Sequence, residues 1–211
     1  CKGIVKLLSE GLNVALISDA GYPLINDPGQ KVVTLATQEG YNVVPVSGCS
    51  AFLNALVASG LVAQPFLFIG FLPSGSSECK KKVQMYKDYP MTMVFYEAPH
   101  RIEKTLRILL EVFGNRRCTL ARELTKLHEE FLRGTIEEIL EVVNELKGEM
   151  VIVVEGNTMD PQEAVTEEVL LQKVEEYIEK GMKASMAVKE VSKETGVSKN
   201  RIYELVHRTK E

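Results

Sequence analysis

Apolar, β-branched runs that end in a glycine- or proline-marked loop and lead into a helical pattern recur along most of this 211-residue chain. LNVALISD (12–19) breaks into AGYPLINDPG (20–29) and a helical stretch over 30–39, and YNVVPVSG (41–48) leads to SAFLNALVASG (50–60). FLFIGFLP (66–73) precedes a loop and helix over 75–89, and MTMVFYEAP (91–99) precedes HRIEKTLRILLEVFG (100–114), whose Ile102, Leu106, Leu109, Leu110 and Phe113 share one helical face. RRCTLARELT (116–125), a charged segment, a helix over 135–146 and GEMVIVVEG (148–156) complete the series, after a helix end at 4–10. Such alternation predicts an α/β fold whose strands, apolar throughout, are buried and parallel. LVAQP (61–65) reads as a crossover, so one α/β domain is expected over 1–63 and a second over 64–157.

The remainder differs. NTMDPQEA (157–164) is a polar linker, and 165–211 is helical throughout. Val191, Val197, Ile202 and Leu205 lie where two helices packing across a short Gly196-containing turn require them, a helix-turn-helix-like pattern. From Lys180 onward eight Lys/Arg face four Glu, so this end carries +4 and the rest −8, although the net charge is only −4. Further basic clusters stand at Lys80–Lys82 and at Arg116, Arg117, Arg122 and Lys126. A polyanion can therefore meet local positive faces on an acidic chain, although solvated surface accounts for each cluster singly.

No apolar stretch of 18 residues is present, so no membrane span is expected, and no secretory leader opens the sequence. Cys1, Cys49, Cys79 and Cys118 are scattered without a CxxC pair or a His at ligand spacing, which points to reduced thiols in the cytoplasm and to no metal site. Phosphate-binding GxGxxG and GxxxxGK[ST] motifs are absent.

Open α/β sheets bind ligands at the ends of their strands, and four loops there carry chemistry. SDAGYPLINDPG (18–29) offers Asp19 as an acceptor, Gly21 for close approach and two prolines for stiffness, all of which are also ordinary turn formers. VSGCSA (46–51) places Gly48 and Ser50 at a helix N-terminus, where a ligand oxygen or a plain N-cap fits equally. FYEAPHR (95–101) supplies Glu97, His100 and Arg101, and ARELTKLHEE (121–130) supplies Arg122, Glu123, Lys126 and His128. A capping Arg–Glu pair and a solvated charged face are the alternatives for these two.

Taken in order, SDAGYPLINDPG, FIGFLP, FYEAPHR, ARELTKLHEE and GEMVIVVEG resemble the ribosomal RNA small-subunit methyltransferase I family of the tetrapyrrole-methylase superfamily, over essentially the whole chain. The resemblance implies a two-domain tetrapyrrole-methylase-like fold with a small helical C-terminal domain. It implies transfer of a methyl group from S-adenosyl-L-methionine to the 2′-hydroxyl of a cytidine in 16S rRNA, by a cytoplasmic homodimer acting on rRNA or the 30S subunit. Carried over by position, the cofactor residues are Asp19, Gly21, Tyr22 and Pro23, then Ser50 and Ala51, then Tyr96 and Leu124. Tyr22 stands where the family usually has Thr, and Ser47 and Cys49 where prolines are frequent. The family's N-terminal glycine-rich segment has no counterpart, so the first domain is expected to be truncated.

Methyl transfer from a sulfonium is an in-line displacement that requires the attacking oxygen about 3–3.5 Å from the methyl carbon. A base or a cation should assist loss of the hydroxyl proton, and Lys126, Glu123 and Glu97 are the candidates, with Arg122 and Arg101 stabilising charge or phosphate. Lys199 and Arg201 of the basic tail are candidates for RNA contact. Two other readings share some of these features. A tetrapyrrole C-methyltransferase or diphthine-synthase-like methylase would use the same fold, and a DNA-binding regulator would use the tail with the α/β body as a ligand sensor.

Overall fold

The computed structural model describes residues 2–19, 21–143, 146–158 and 167–208. Cys1, Lys210 and nearly all of the expected linker lie outside them. The chain forms two compact units, Cys1–Asn157 and Thr158–Glu211.

The first unit is built on a five-stranded sheet of order β1-β2-β5-β3-β4. The strands are β1 (Phe66–Phe71), β2 (Thr92–Glu97), β3 (Arg117–Arg122), β4 (Glu130–Thr135) and β5 (Met150–Val154). Of the paired neighbours only β1 and β2 pair in parallel; β5 is antiparallel to both β2 and β3, and β4 to β3. The sheet is therefore mixed, not parallel throughout as the apolar runs suggested. Helices α1 (Lys2–Ser9), α2 (Gln30–Gln38), α3 (Ala51–Ala58), α4 (Ser76–Gln84), α5 (Ile102–Phe113) and α6 (Ile136–Val142) complete the unit.

Side-chain alternation assigns each strand residue to one of two cores. Met93 and Phe95 of β2, Leu120 of β3 and Ile152 of β5 pack with Val83 of α4, Leu106 and Leu109 of α5, and Ile139 of α6. Their neighbours Val94, Ala121, Val151 and Val153 face the opposite way, against Ala55 and Leu56 of α3. Burial of each of these side chains larger than alanine contributes about 1.5–3 kcal/mol, which is why both sheet faces carry helices. A capping box starts α6: Glu138 N–H donates to Thr135 Oγ1 at 3.3 Å and Thr135 N–H to Glu138 Oε2 at 2.7 Å.

Two expectations fail. Neither 12–19 nor 41–48 is a strand among the described residues, and Ile17, Val44 and Val46 are 85, 70 and 86% exposed. Apolar, β-branched composition makes a run suitable for a sheet, but a strand exists only as a member of a ladder. Conversely, β4 occupies part of what reads as a charged segment. Its Phe131 and Leu132 are half-buried, while Glu130 and Arg133 mask the strand pattern.

In the second unit α7 (Glu167–Glu179), α8 (Ala184–Thr195) and α9 (Lys199–Arg208) enclose Leu170, Val174, Val188, Val191, Ile202 and Leu205. Gly196, at φ 73°, ends α8 in the left-handed region, and its N–H donates to Ser192 O at 3.0 Å. Helix, three-residue turn and helix thus follow the expected pattern. Lys199 and Arg201 are exposed on α9, and no carboxylate pairs with either among the described residues.

Candidate active site

Antiparallel pairing brings the start of β5 to the same end of the sheet as the C-terminal ends of β2 and β3: Glu97 and Arg122 both lie beside Met150. A cleft of about 480 Å³ opens over this end, within the usual range for a small-molecule site. The loop 21–27 and the first turn of α3 bound one side, and strand ends bound the other.

The floor is aromatic and apolar. Tyr96 stands edge-on to Phe68 at 5.1 Å and tilted to Phe71 at 5.5 Å, while Phe68 stacks on Phe52 of α3 at 4.3 Å. Burial pushes the Tyr96 phenol above its usual range, against a backbone hydrogen bond from Phe52, so the hydroxyl stays protonated at neutral pH. On the opposite side Tyr22 Oη accepts the Gly48 N–H at 2.9 Å and ties the two upper loops together.

Two of the loops that line the cleft, 21–27 and 123–129, are strained. Among the described residues four non-glycine positions have left-handed backbone, Leu24 (φ 73°), Asn26 (φ 61°), Glu123 (φ 49°) and Thr125 (φ 66°), and all four lie in these loops. Such conformations cost about 1–3 kcal/mol each and persist where the surroundings fix them.

Of the cofactor candidates, Gly21, Tyr22, Ser50, Ala51, Tyr96 and Leu124 line the cleft together. Asp19 is exposed and Pro23 half-buried, both on the same loop but outside the lining. Ser50 occupies the N-cap of α3, with no capping hydrogen bond from its side chain.

Of the charged candidates, Glu97 and Lys126 line the cleft, whereas Arg101, Arg122 and Glu123 stand outside its lining. The Glu97 carboxylate is fully buried: Oε1 accepts the Ala98 N–H at 2.8 Å and lies 3.3 Å from Arg101 Nε, while Oε2 accepts the Thr105 hydroxyl at 2.5 Å. Arg101 donates to the Leu72 and Pro73 carbonyls at 2.8 and 3.2 Å, so EAPHR latches the ends of β1 and β2 together. Arg122 turns to Glu130 at 2.6 Å. Lys126 lines the cleft, its Nζ 3.1 Å from Glu123 Oε1 and 2.8 Å from Glu149 Oε2. Hydrogen bonds from Lys126 and from the Glu149 N–H hold the Glu123 carboxyl below its usual range. Reciprocally, the hydrogen bonds to Glu149 and Glu123 raise the Lys126 ammonium.

Reading the strand ends missed Glu149, Asp27 and Asn54, which also line the cleft. A parallel β5 would send Glu149 to the far end of the sheet; only its antiparallel pairing brings it here. Among the described residues no group of His, Cys, Asp and Glu is arranged to hold a metal ion.

Residues 2–140 match the Tetrapyrrole (Corrin/Porphyrin) Methylases family. The chain is 43% identical over 211 residues to the Ribosomal RNA small subunit methyltransferase I of Halalkalibacterium halodurans, covering 98% of this chain and 73% of that protein. To the Bacillus subtilis protein of the same name it is 43% identical over 210 residues, covering 97% and 72%. Among solved structures, the methyltransferase CobJ has the same fold, with a TM-score of 0.56 and 18% identity over 75% of this chain and 71% of that one. With its tetrapyrrole-methylase domain and these relatives, the chain belongs to the ribosomal RNA small subunit methyltransferase I family and is a methyltransferase.

Proposed function

We propose that this methyltransferase transfers the methyl group of S-adenosylmethionine to the 2′-hydroxyl of a cytidine ribose in small-subunit rRNA. The observation that carries this reading is the meeting of four separate loops in one cleft with an aromatic floor and one lysine at its wall. The relatives named above supply the substrate class.

The lining suits the cofactor. Tyr96, Phe71 and Leu124 offer apolar surface for an adenine ring and a thioether, and Asp27 and Asn54 offer polar partners. Ser50 and Ala51 at the start of α3 would meet an anionic or hydroxyl group. When bound, S-adenosylmethionine supplies an electrophilic methyl group. The first 63 residues provide the upper loops and residues 64–157 the floor. Asp19 and Pro23 act through the conformation of their loop. Glu97 and Arg101 fix the strand ends, Arg122 fixes the start of the 123–129 loop, and Lys199 and Arg201 contact RNA phosphates.

The exposed Ile17, Val44 and Val46 support action as a homodimer, which would cover apolar surface. The reading places the enzyme in the cytoplasm, working on the 30S subunit; among the described residues no helix is long and apolar enough to cross a membrane.

The test is incubation with methyl-labelled S-adenosylmethionine and unmethylated small ribosomal subunits, followed by mapping of the label. Label on a single cytidine ribose is expected. Label on a base, or on no RNA, would overturn the reading.

A further inference from the structure

Lys126 is held more firmly than a half-exposed lysine ordinarily is. Its ammonium bridges Glu123 and Glu149, and these two residues are themselves locked together. The Glu123 N–H donates to Glu149 O at 3.0 Å, and the Glu149 N–H donates to Glu123 Oε1 at 3.0 Å. The Lys126 N–H closes the turn on Glu123 O at 2.9 Å. Gly148 completes the lock, because a Cβ there would stand 2.2 Å from Glu123 Oε1 and would drive the carboxylate away.

A lysine acting as a base must first lose its proton, and two adjoining carboxylates favour the charged form. Two of the three ammonium N–H groups are engaged, which leaves one for a ligand in the cleft.

We propose that Lys126 serves methyl transfer as a fixed cation that donates a hydrogen bond to the attacking oxygen, and that Glu123, Glu149 and Gly148 are the positioning residues that aim it. This rests on reading the cleft as the methyl-transfer site. In the step the O–CH₃ bond forms as the S–CH₃ bond breaks, and the bonding pair stays on sulfur, which passes from sulfonium to thioether. The hydroxyl proton leaves to solvent water. Lys126 keeps its proton throughout and offsets the negative charge that develops on oxygen.

The experiment measures single-turnover methylation of small ribosomal subunits against pH, with S-adenosylhomocysteine binding followed by calorimetry. Lys126→Ala should lower the rate by about 100-fold or more, the scale for loss of one donor to a developing oxyanion. S-adenosylhomocysteine affinity should stay within about twofold of wild type, since Lys126 addresses the acceptor. Lys126→Arg should retain the rate to within about tenfold, because a guanidinium remains a cation and accepts no proton at working pH. Glu149→Gln should move the alkaline limb of the profile to lower pH, a change that mere loosening of the loop would not produce.

Lys126→Arg as inactive as Lys126→Ala, with cofactor binding intact in both, would overturn the proposal. So would an unmoved alkaline limb in Glu149→Gln. Failure of the wild-type protein to bind S-adenosylhomocysteine would overturn the reading of the cleft itself.

Discussion

Asn26 lies directly against the backbone of Gly70: a Cβ built on Gly70 would stand 2.5 Å from Asn26 Oδ1. Gly70 has φ 72° and follows the irregularity at which β1 shifts register against β2. The upper loop of the cleft is thus seated on a bulge in the sheet, and only glycine fits the conformation and the contact. Gly70→Ala should cost about 1–2 kcal/mol from the left-handed backbone alone. It should also weaken S-adenosylhomocysteine by about tenfold, equivalent to 1.4 kcal/mol, by lifting the 21–27 loop. Adding Asn26→Gly should restore most of the binding and leave the cost at Gly70 itself in place, while relieving the left-handed strain at position 26. Calorimetry and urea unfolding of the single and double variants check both parts.

Glu97 provides a contrast between burial and chemistry. Its carboxylate is enclosed by Thr105, the Ala98 N–H and Arg101, none of which is a substrate group. Glu97→Ala leaves a mostly buried guanidinium without its counter-charge and should destabilise by about 3 kcal/mol or more. Thr105→Val, which removes one hydrogen bond to the same carboxylate, should cost about 1–2 kcal/mol. Urea midpoints should fall in that order, while the methylation rate per folded molecule changes by less than about fivefold, a loss of about 1 kcal/mol. A large loss of rate without loss of stability would return Glu97 to the reacting groups.

Strand and helix periodicity made most of the first unit legible. The α5 face expected at Ile102, Leu106, Leu109 and Phe113 is buried, with Leu110 at its margin. Strand direction was not legible, because a doubly buried strand looks alike in parallel and antiparallel sheets. That ambiguity hid Glu149, whereas Lys126 was visible because it follows a strand end in either case. Runs 12–19 and 41–48 show the opposite limit: Ile17 and Val46 suit a strand locally, but pairing depends on what lies alongside. The latch made by Arg101 could not be anticipated either, since its acceptors are backbone carbonyls of Leu72 and Pro73 contributed by another strand end.

The three-helix unit has its own pH response. Glu194 of α8 accepts hydrogen bonds from Tyr177 and from Lys173 of α7, the latter at 2.9 Å. The Tyr177 hydroxyl first, then Lys173, hold its carboxyl below the ordinary carboxylate value. With a folded value depressed below the unfolded one, the stabilisation is present above the unfolded value and is lost as pH falls through the folded one. Acid titration followed by circular dichroism should therefore show weakening of the helices in the carboxylate range. In Glu194→Gln that part of the acid dependence should vanish, leaving a flatter curve; an identical curve would sink the assignment.

Charge on α9 should register in the salt dependence of RNA binding. Lys199 and Arg201 are exposed without carboxylate partners among the described residues, so their positive charge is available to phosphates. Replacing both with Ala should reduce the slope of log K against log salt by about 1.4–1.8, corresponding to two released counterions. Filter binding of rRNA between low and moderate salt measures this, with the loss of affinity expected to be similar for unrelated RNA sequences.

Cys49 reports occupancy of the cleft. It is exposed and lines the cavity, while Cys79 and Cys118 are buried in the sheet unit. Burial raises the Cys79 thiol and pushes that of Cys118 up to about 12, so neither yields the reactive thiolate near neutrality. Iodoacetamide at mildly alkaline pH should therefore modify Cys49 in the native protein and reach Cys79 and Cys118 only after unfolding in urea. At a concentration of S-adenosylhomocysteine about 100 times its Kd, only about 1% of clefts are free, so labelling should slow about 100-fold. Peptide mapping assigns the label to its cysteine, and an unchanged rate at Cys49 would mean that the cofactor does not lie against the 49–51 segment. Protection at Cys49 that persists undiminished in Lys126→Ala would place the cofactor on the α3 side of the cleft, leaving the Lys126 wall to the acceptor.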